Sequence, residues 1–323
     1  MEKIIRAIKE HSTFYIFGHI DPDGDCIGSQ MALAKFLNQL GKKAYVYSKG
    51  KFERQEIKCF QSRFADTFVP EDKNGAVIIV DCSTPDRTGF EKEGLEKFPT
   101  IVIDHHSSGD IFGDFRYVKP QASACTMLIL DLIEAMGKKP SKEVAELLML
   151  GLCTDTGFFK HLTETGAWAF ETAAKLTAYG ASPNKIYFDV NGNKKAATLK
   201  LISRSLERAT QYLDGKLIIT YETLEDYNEI PRECRDIDTV YMLLLATEGV
   251  KVVASVKEDD PDKVTVGLRT RCEDIDLGAA AAQLGGGGHK KAAGCKIMNS
   301  DAEAVVKLLV DHFSKILGNS YGR

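Results

Sequence analysis

Four short clusters of acid and imidazole side chains punctuate the first half of this chain. They are His19-Ile-Asp-Pro-Asp23-Gly-Asp25, Val80-Asp81-Cys-Ser, Asp104-His105-His106 and Thr154-Asp155-Thr-Gly157. Carboxylates brought close together repel unless a cation lies between them. A site assembled from His19, Asp23, Asp25, Asp81, Asp155 and a histidine of the 105–106 pair is oxygen-rich and hard. That chemistry favours Mn²⁺ or Mg²⁺, and the imidazoles tilt it toward Mn²⁺. Two such ions can activate water and neutralise a phosphoryl group during in-line attack. Asp104-His105-His106 is the sharpest of the four. Adjacent imidazoles on a loop point in different directions, so one can bind metal while the other meets substrate or donates a proton. Asp104 can orient a histidine through its ring N–H. Taken singly, each cluster has a plainer reading. Asp-Pro-Asp-Gly is good turn chemistry, Asp81 suits a helix cap, and Gly157 would let a helix end at Asp155.

The elements that must carry these residues argue for convergence. Phe14–Phe17, Ala44–Tyr47, Ala76–Val80 and Thr100–Ile103 are short apolar runs that read as strands. A helical pattern opening at Gly28-Ser29 runs through Leu40 and stops at Gly41. Unbroken apolar strands alternating with helices predict an α/β fold around a buried parallel sheet. Three clusters then sit just past strand ends, where ligands bind in open α/β sheets. Asp155 follows a helical stretch from Glu143 to Leu152.

Further helical patterns cover 167–179 and 194–212, the latter after an Asn191-Gly192-Asn193 break and read as a connecting helix. From Lys216 the rhythm changes. Strands are expected at 217–220, 251–256 and 264–268, with helices at 238–246, 276–284 and 301–317, making a second, smaller α/β domain. The expected organisation is therefore 1–186, a linker helix over 187–212, and 213–323. In the second domain, Leu284 is followed by Gly285-Gly286-Gly287-Gly288-His289, and Arg269 lies shortly before it. Exposed backbone N–H groups of Gly286, Gly287 and Gly288 can approach an anion, while Arg269 and His289 add charged hydrogen bonds. This reads as a phosphate or nucleotide clamp.

Composition narrows the partners. The 323 residues carry a formal net charge of −4, which argues against coating of long nucleic acid but not against a small anion in a local pocket. Eight scattered cysteines without a C-x-x-C pair fit reduced thiols, and no signal peptide or membrane span is read. Both point to the cytoplasm and away from a membrane.

Asp104-His105-His106, with His19, Asp23-Gly-Asp25, Asp81 and Asp155 in the same order, resembles the DHH phosphoesterase superfamily. Gly285–Gly288 with His289 resembles the glycine-rich motif of its DHHA1 domain. The resemblance covers nearly the whole chain. It implies that His19 and Asp23 hold one metal, that Asp25, His105 and Asp155 hold the other, and that Asp81 bridges them. It also implies that His106 contacts the scissile phosphate, and that Arg269 and His289 reach the substrate across a cleft between domains. The size and single DHHA1-like domain resemble the nanoRNase type. That type degrades short oligoribonucleotides and in many cases also dephosphorylates 3′-phosphoadenosine 5′-phosphate. Cyclic dinucleotide phosphodiesterases with the same two domains are the near alternative. A nucleotide sensor without catalysis ranks below both, because it predicts a missing ligand. Ala122-Ser-Ala-Cys-Thr-Met127 departs from the Ser-Ser-Thr and Glu of related proteins, which bears on substrate detail. Assembly as a monomer or a homodimer is open at this level.

Overall fold

A computed structural model describes residues 1–164 and 166–318. The chain divides into two compact units, Met1–Asn193 and Lys194–Arg323.

The first unit is built on five parallel strands: β1 (Thr13–Phe17), β2 (Lys43–Tyr47), β3 (Ala76–Val80), β4 (Thr100–Asp104) and β5 (Phe115–Val118). Their order is β2-β1-β3-β4-β5. Every residue of β1, β3 and β4 is buried, which is why these strands read as unbroken apolar runs. Their alternate side chains serve two cores. Phe14, Ile16, Ile78, Val80, Ile101 and Ile103 pack on the helical side. Tyr15, Phe17, Val77 and Ile79 pack with Tyr47, Phe90 and Phe98 on the other.

Two helices lie closest to the chemistry, Gly24–Gln39 and Lys142–Asp155. Glycine lets them approach. A Cβ on Gly28 would fall 2.6 Å from the Leu147 carbonyl oxygen, and one on Gly151 would fall 2.7 Å from Asp25 Oδ1. The first helix begins four residues before the apolar pattern does, because Asp23 caps it and accepts the N–H groups of Asp25 and Cys26. The second runs through Asp155, so that residue closes the helix instead of following it.

The second unit has a six-stranded mixed sheet, ordered β10-β11-β9-β8-β7-β6. Its strands are β6 (Thr210–Tyr212), β7 (Leu217–Glu222), β8 (Val252–Asp260), β9 (Lys263–Thr270), β10 (Gly287–His289) and β11 (Ala292–Met298). One face packs on the helices Leu277–Ala282 and Ala302–Leu317 through Leu268, Leu277, Leu309 and Phe313. The other packs on Ala196–Glu207 and Ile237–Leu244 through Ile202, Val240 and Val253. The helix expected over 194–212 stops at Glu207, since Thr210–Tyr212 pairs antiparallel with Leu217–Ile219. That helix belongs to the second unit.

Candidate metal centre

The end of β3 places the central acid. Asp81 N–H donates to the Ile103 carbonyl, and its backbone then enters the left-handed region at φ 51°. Asp tolerates that conformation better than most side chains. The chain turns there and the buried carboxylate meets two imidazoles. His19 Nε2 lies 3.4 Å from Asp81 Oδ2, and His105 Nε2 lies 3.3 Å from Oδ1. The His105 approach is off the hydrogen-bond line, so Oδ1 is buried without a hydrogen bond, as is His19 Nδ1.

The remaining acids close around this pair. Asp23 Oδ1 is 3.9 Å from His19 Nε2. His105 Nε2 is 3.6 Å from Asp155 Oδ2 and 3.9 Å from Asp25 Oδ2. Its other nitrogen, Nδ1, donates to the Ala122 carbonyl, which turns Nε2 toward the acids. His106 donates from Nδ1 to Asp104 Oδ1 at 2.7 Å, and the same oxygen accepts the N–H groups of His105 and His106. Asp104 thus sets the loop and one ring together. All six expected ligands and His106 are drawn into one continuous set of contacts.

Electrostatics show a site short of positive charge. Burial, followed by the neighbouring Asp81 and Asp155 carboxylates, holds the Asp25 carboxyl well above its ordinary range. Burial with Asp81 and Asp23 pushes Asp155 up to about 6. Although burial opposes it, the contact with Asp81 and the charges of Asp25 and Asp155 push His105 up to about 10. Burial also opposes ionisation of Asp81, yet His105 and His19 keep its carboxyl below the usual range. The Asp104 carboxylate raises His106. A proton on His105 does part of what a cation would do.

The donor atoms fit a metal. Asp25, His105 and Asp155 form one group, His19, Cys26 and Asp81 a second, and Asp81, His105 and His106 a third, each with ligand atoms within 4.8 Å of one another. Burial and the acids Asp81 and Asp23 push the Cys26 thiol well up, and it packs against Gly18, where a Cβ would meet Sγ at 2.2 Å.

One contribution is absent from any local motif. The helix Cys125–Ala135 starts at Ala124, which has no capping side chain. Asp25 caps it from a distance of a hundred residues, accepting from Cys125 N at 2.5 Å and Thr126 N at 3.0 Å. Segment 122–127, marked in the sequence only as a departure from related proteins, therefore anchors His105 through Ala122 and Asp25 through Cys125 and Thr126.

In the second unit, the glycine run is no free loop. Gly287–His289 forms β10 and pairs with β11, with His289 opposite Ala292 and Ala292 opposite Arg269. Directly opposed residues share a face, so Arg269 and His289 project from one side with only an alanine between them. Arg269 also lies over the Tyr241 ring at 4.7 Å and within 3.8 Å of Asp238. The glycines have different reasons to be there. A Cβ on Gly286 would sit 2.2 Å from the Gly294 carbonyl oxygen. One on Gly288, at φ 143°, would sit 2.5 Å from Ala293 Cα, whereas one on Gly287 meets nothing within 4 Å. Gly285 also has open space but sits at φ 76°, so within the run Gly287 alone has neither a left-handed backbone nor a close neighbour.

This chain belongs to the DHH family. Residues 13–152 match the model of the DHH family N-terminal domain, and residues 230–318 match the DHHA1 domain. Among its relatives, the bifunctional oligoribonuclease and PAP phosphatase NrnA of Thermus thermophilus is 28% identical over 311 residues, covering 96% of this chain and 91% of that protein. The NrnA of Bacillus subtilis is 26% identical, covering 93% and 94%. The cyclic-di-AMP phosphodiesterase PdeA of Listeria monocytogenes is also 26% identical, but the match spans 47% of its length. A crystal structure of an exopolyphosphatase-related protein from Bacteroides fragilis shares the fold at TM-score 0.78 and 22% identity, covering 98% of this chain and 96% of the other. No helix among the described residues is long and apolar enough to cross a membrane.

Proposed function

We propose that the protein is a metal-dependent phosphodiesterase that releases mononucleotides from short oligoribonucleotides and also dephosphorylates 3′-phosphoadenosine 5′-phosphate. The observation that carries this is the overlap of the donor groups, in which Asp81 and His105 each belong to two of three sets within 4.8 Å. The two NrnA relatives, matched over nearly their whole length, supply the substrate class.

In this assignment His19 and Asp23 would hold one ion, Asp25, His105 and Asp155 would hold the other, and Asp81, in contact with both His19 and His105, would serve both. Mn²⁺ suits this mixture of carboxylates and imidazoles, with Mg²⁺ second. Such ions supply Lewis-acid stabilisation of charge building on a phosphoryl group. The chain's own residues do the rest. His106, raised toward its protonated form by Asp104, presents Nε2 to a phosphate oxygen. In the overall step, water oxygen joins phosphorus, one ester P–O bond breaks, and a proton passes to the leaving ribose oxygen. Arg269 and His289, projecting together, bind the substrate with Gly287 leaving room at the edge of β10. Eight free cysteines support a reducing compartment such as the cytoplasm.

A panel of linear dinucleotide, cyclic dinucleotide and phosphoadenosine phosphate tests the substrate class. Turnover of the linear dinucleotide and the phosphoadenosine is expected. Exclusive turnover of the cyclic compound would move the protein to the PdeA-like alternative. Asp81→Ala is expected to lower kcat by roughly a thousandfold or more. Unchanged turnover would end its bridging role, whereas no turnover of any compound in the panel by the wild-type protein would favour the non-catalytic sensor.

A further inference from the structure

Immediately after Asp155 the backbone does something costly. Gly157, Phe158 and Phe159 are three consecutive residues in the left-handed region, at φ 56°, 55° and 69°. Aromatic side chains rarely adopt it, and strain of this kind persists where surrounding structure enforces it, often at ligand sites. Here Phe158 N–H is tied to the Cys153 carbonyl at 2.7 Å, and Phe159 N–H to Thr156 Oγ1 at 3.1 Å. The turn sets two half-buried rings beneath three exposed ones. Phe159 stacks on Phe170 with centroids 5.0 Å apart, and Phe158 meets Tyr187 at 5.2 Å, which in turn meets Phe188 at 5.7 Å. Phe170, Tyr187 and Phe188 are 55%, 50% and 57% exposed. Large aromatics left open in a contiguous group mark an interaction surface.

Charge in the same turn indicates what that surface takes. Lys160 and His161 follow directly, and a Cβ on Gly157 would lie 2.7 Å from Lys160 Cε and 2.6 Å from His161 Nε2. Both side chains therefore fold back toward the residue two beyond Asp155, and because burial and the neighbouring Lys160 lower the His161 imidazole, Lys160 carries the charge. Open aromatic faces beside positive charge are how proteins hold single-stranded nucleic acid without reading its sequence. The patch continues from the phosphate-handling acids within three residues of chain, about 11 Å at full stretch.

We infer that Phe170, Tyr187 and Phe188, buttressed by Phe159 and Phe158, stack the bases of a short oligonucleotide whose phosphate lies at the acid–histidine site, with Lys160 beside its backbone. This deepens the oligonucleotide function proposed above and rests on it. The platform tolerates any base, since every base has a π-face, and it gives a chain of several nucleotides an advantage over a single one.

The test uses the full chain with Mn²⁺, an adenylate trimer, its abasic counterpart, and a cleavage-resistant trimer carrying 2-aminopurine. In Phe170→Ala/Phe188→Ala, KM for the adenylate trimer is expected to rise roughly tenfold relative to KM for the abasic trimer. The quenching of 2-aminopurine seen with wild-type protein is expected to be lost, and Phe170→Trp/Phe188→Trp to restore both. An unchanged KM ratio with quenching intact overturns the platform. So does an unchanged ratio accompanied by loss of a dimer, which would make the rings a subunit contact. Quenching by wild-type protein that hydrolyses no trimer would leave the platform standing and remove only the hydrolase function.

Discussion

Asp104 is the residue whose removal separates geometry from charge. It holds the backbone of the His105–His106 loop and the His106 ring through a single oxygen, Oδ1. Asp104→Asn keeps the shape and removes the charge that raises His106. Loss of such an orienting carboxylate typically costs about 10–100-fold in activity. The direction in pH follows from the sign of the shift. His106 is raised by Asp104, so protonated His106 persists to higher pH in the wild type than in the variant. The alkaline limb of the pH–rate profile should move to lower pH in Asp104→Asn. A profile that merely scales down without moving would assign Asp104 to loop structure alone. Metal binding has its own sign. A cation must displace protons from Asp155, raised to about 6, and from His105, raised to about 10. Apparent Mn²⁺ affinity by calorimetry should therefore fall as pH drops through about 6 and climb above neutrality, with proton release on binding. Equal affinity at about pH 5.5 and 8 would contradict the ligand set. At this scale the sequence was highly legible for His19, Asp81 and the 104–106 cluster, because each follows a buried strand whose apolar run is unmistakable. It was silent on Asp25 as a cap for Cys125 and Thr126, because that partnership spans a hundred residues and no local spacing encodes it.

Among the elements, the glycine run shows how one motif carries two demands. Gly286 and Gly288 are required by the close pairing of β10 with β11, whereas Gly287 has open space. Gly286→Ala forces a backbone contact and should cost about 1–3 kcal/mol. That lowers the thermal midpoint by several degrees. Gly287→Ala should stay within about 0.5 kcal/mol of wild type. Thermal denaturation of both checks this, and equal destabilisation would mean that Gly287 too is held by the fold. Neither β10 nor β11 was foreseen, because glycine and alanine offer no alternation of large apolar and polar side chains. The strand β5 was missed for a related reason: it is an edge strand, only partly buried, and its Phe-Arg-Tyr-Val is short. The helix over 194–212 was read too long because Ala209 and Tyr212 continue its apolar spacing into a segment whose backbone pairs with β7 instead. Periodicity sees side chains and does not see which strand waits alongside.

For the whole molecule, two units of different construction divide the labour that the function needs. The first buries parallel strands on both faces and gathers acids at their ends, which yields a site that repels itself without a cation. The second presents Arg269 and His289 from one face of a mixed sheet. The α/β class and the two-domain plan were legible from the change of rhythm near Lys216. The break itself falls at Asn193, where a helix ending in Asn191 gives way to one starting at Ala196. The most direct measurement is release of mononucleotides from oligoribonucleotides of two to five residues, by the full chain with Mn²⁺, with Mg²⁺, and after chelation. Mononucleotide release that requires a divalent ion, runs fastest with Mn²⁺ and stops on chelation is the expected result. Release that survives chelation, or no release from any oligomer with either ion, would contradict a two-metal phosphodiesterase.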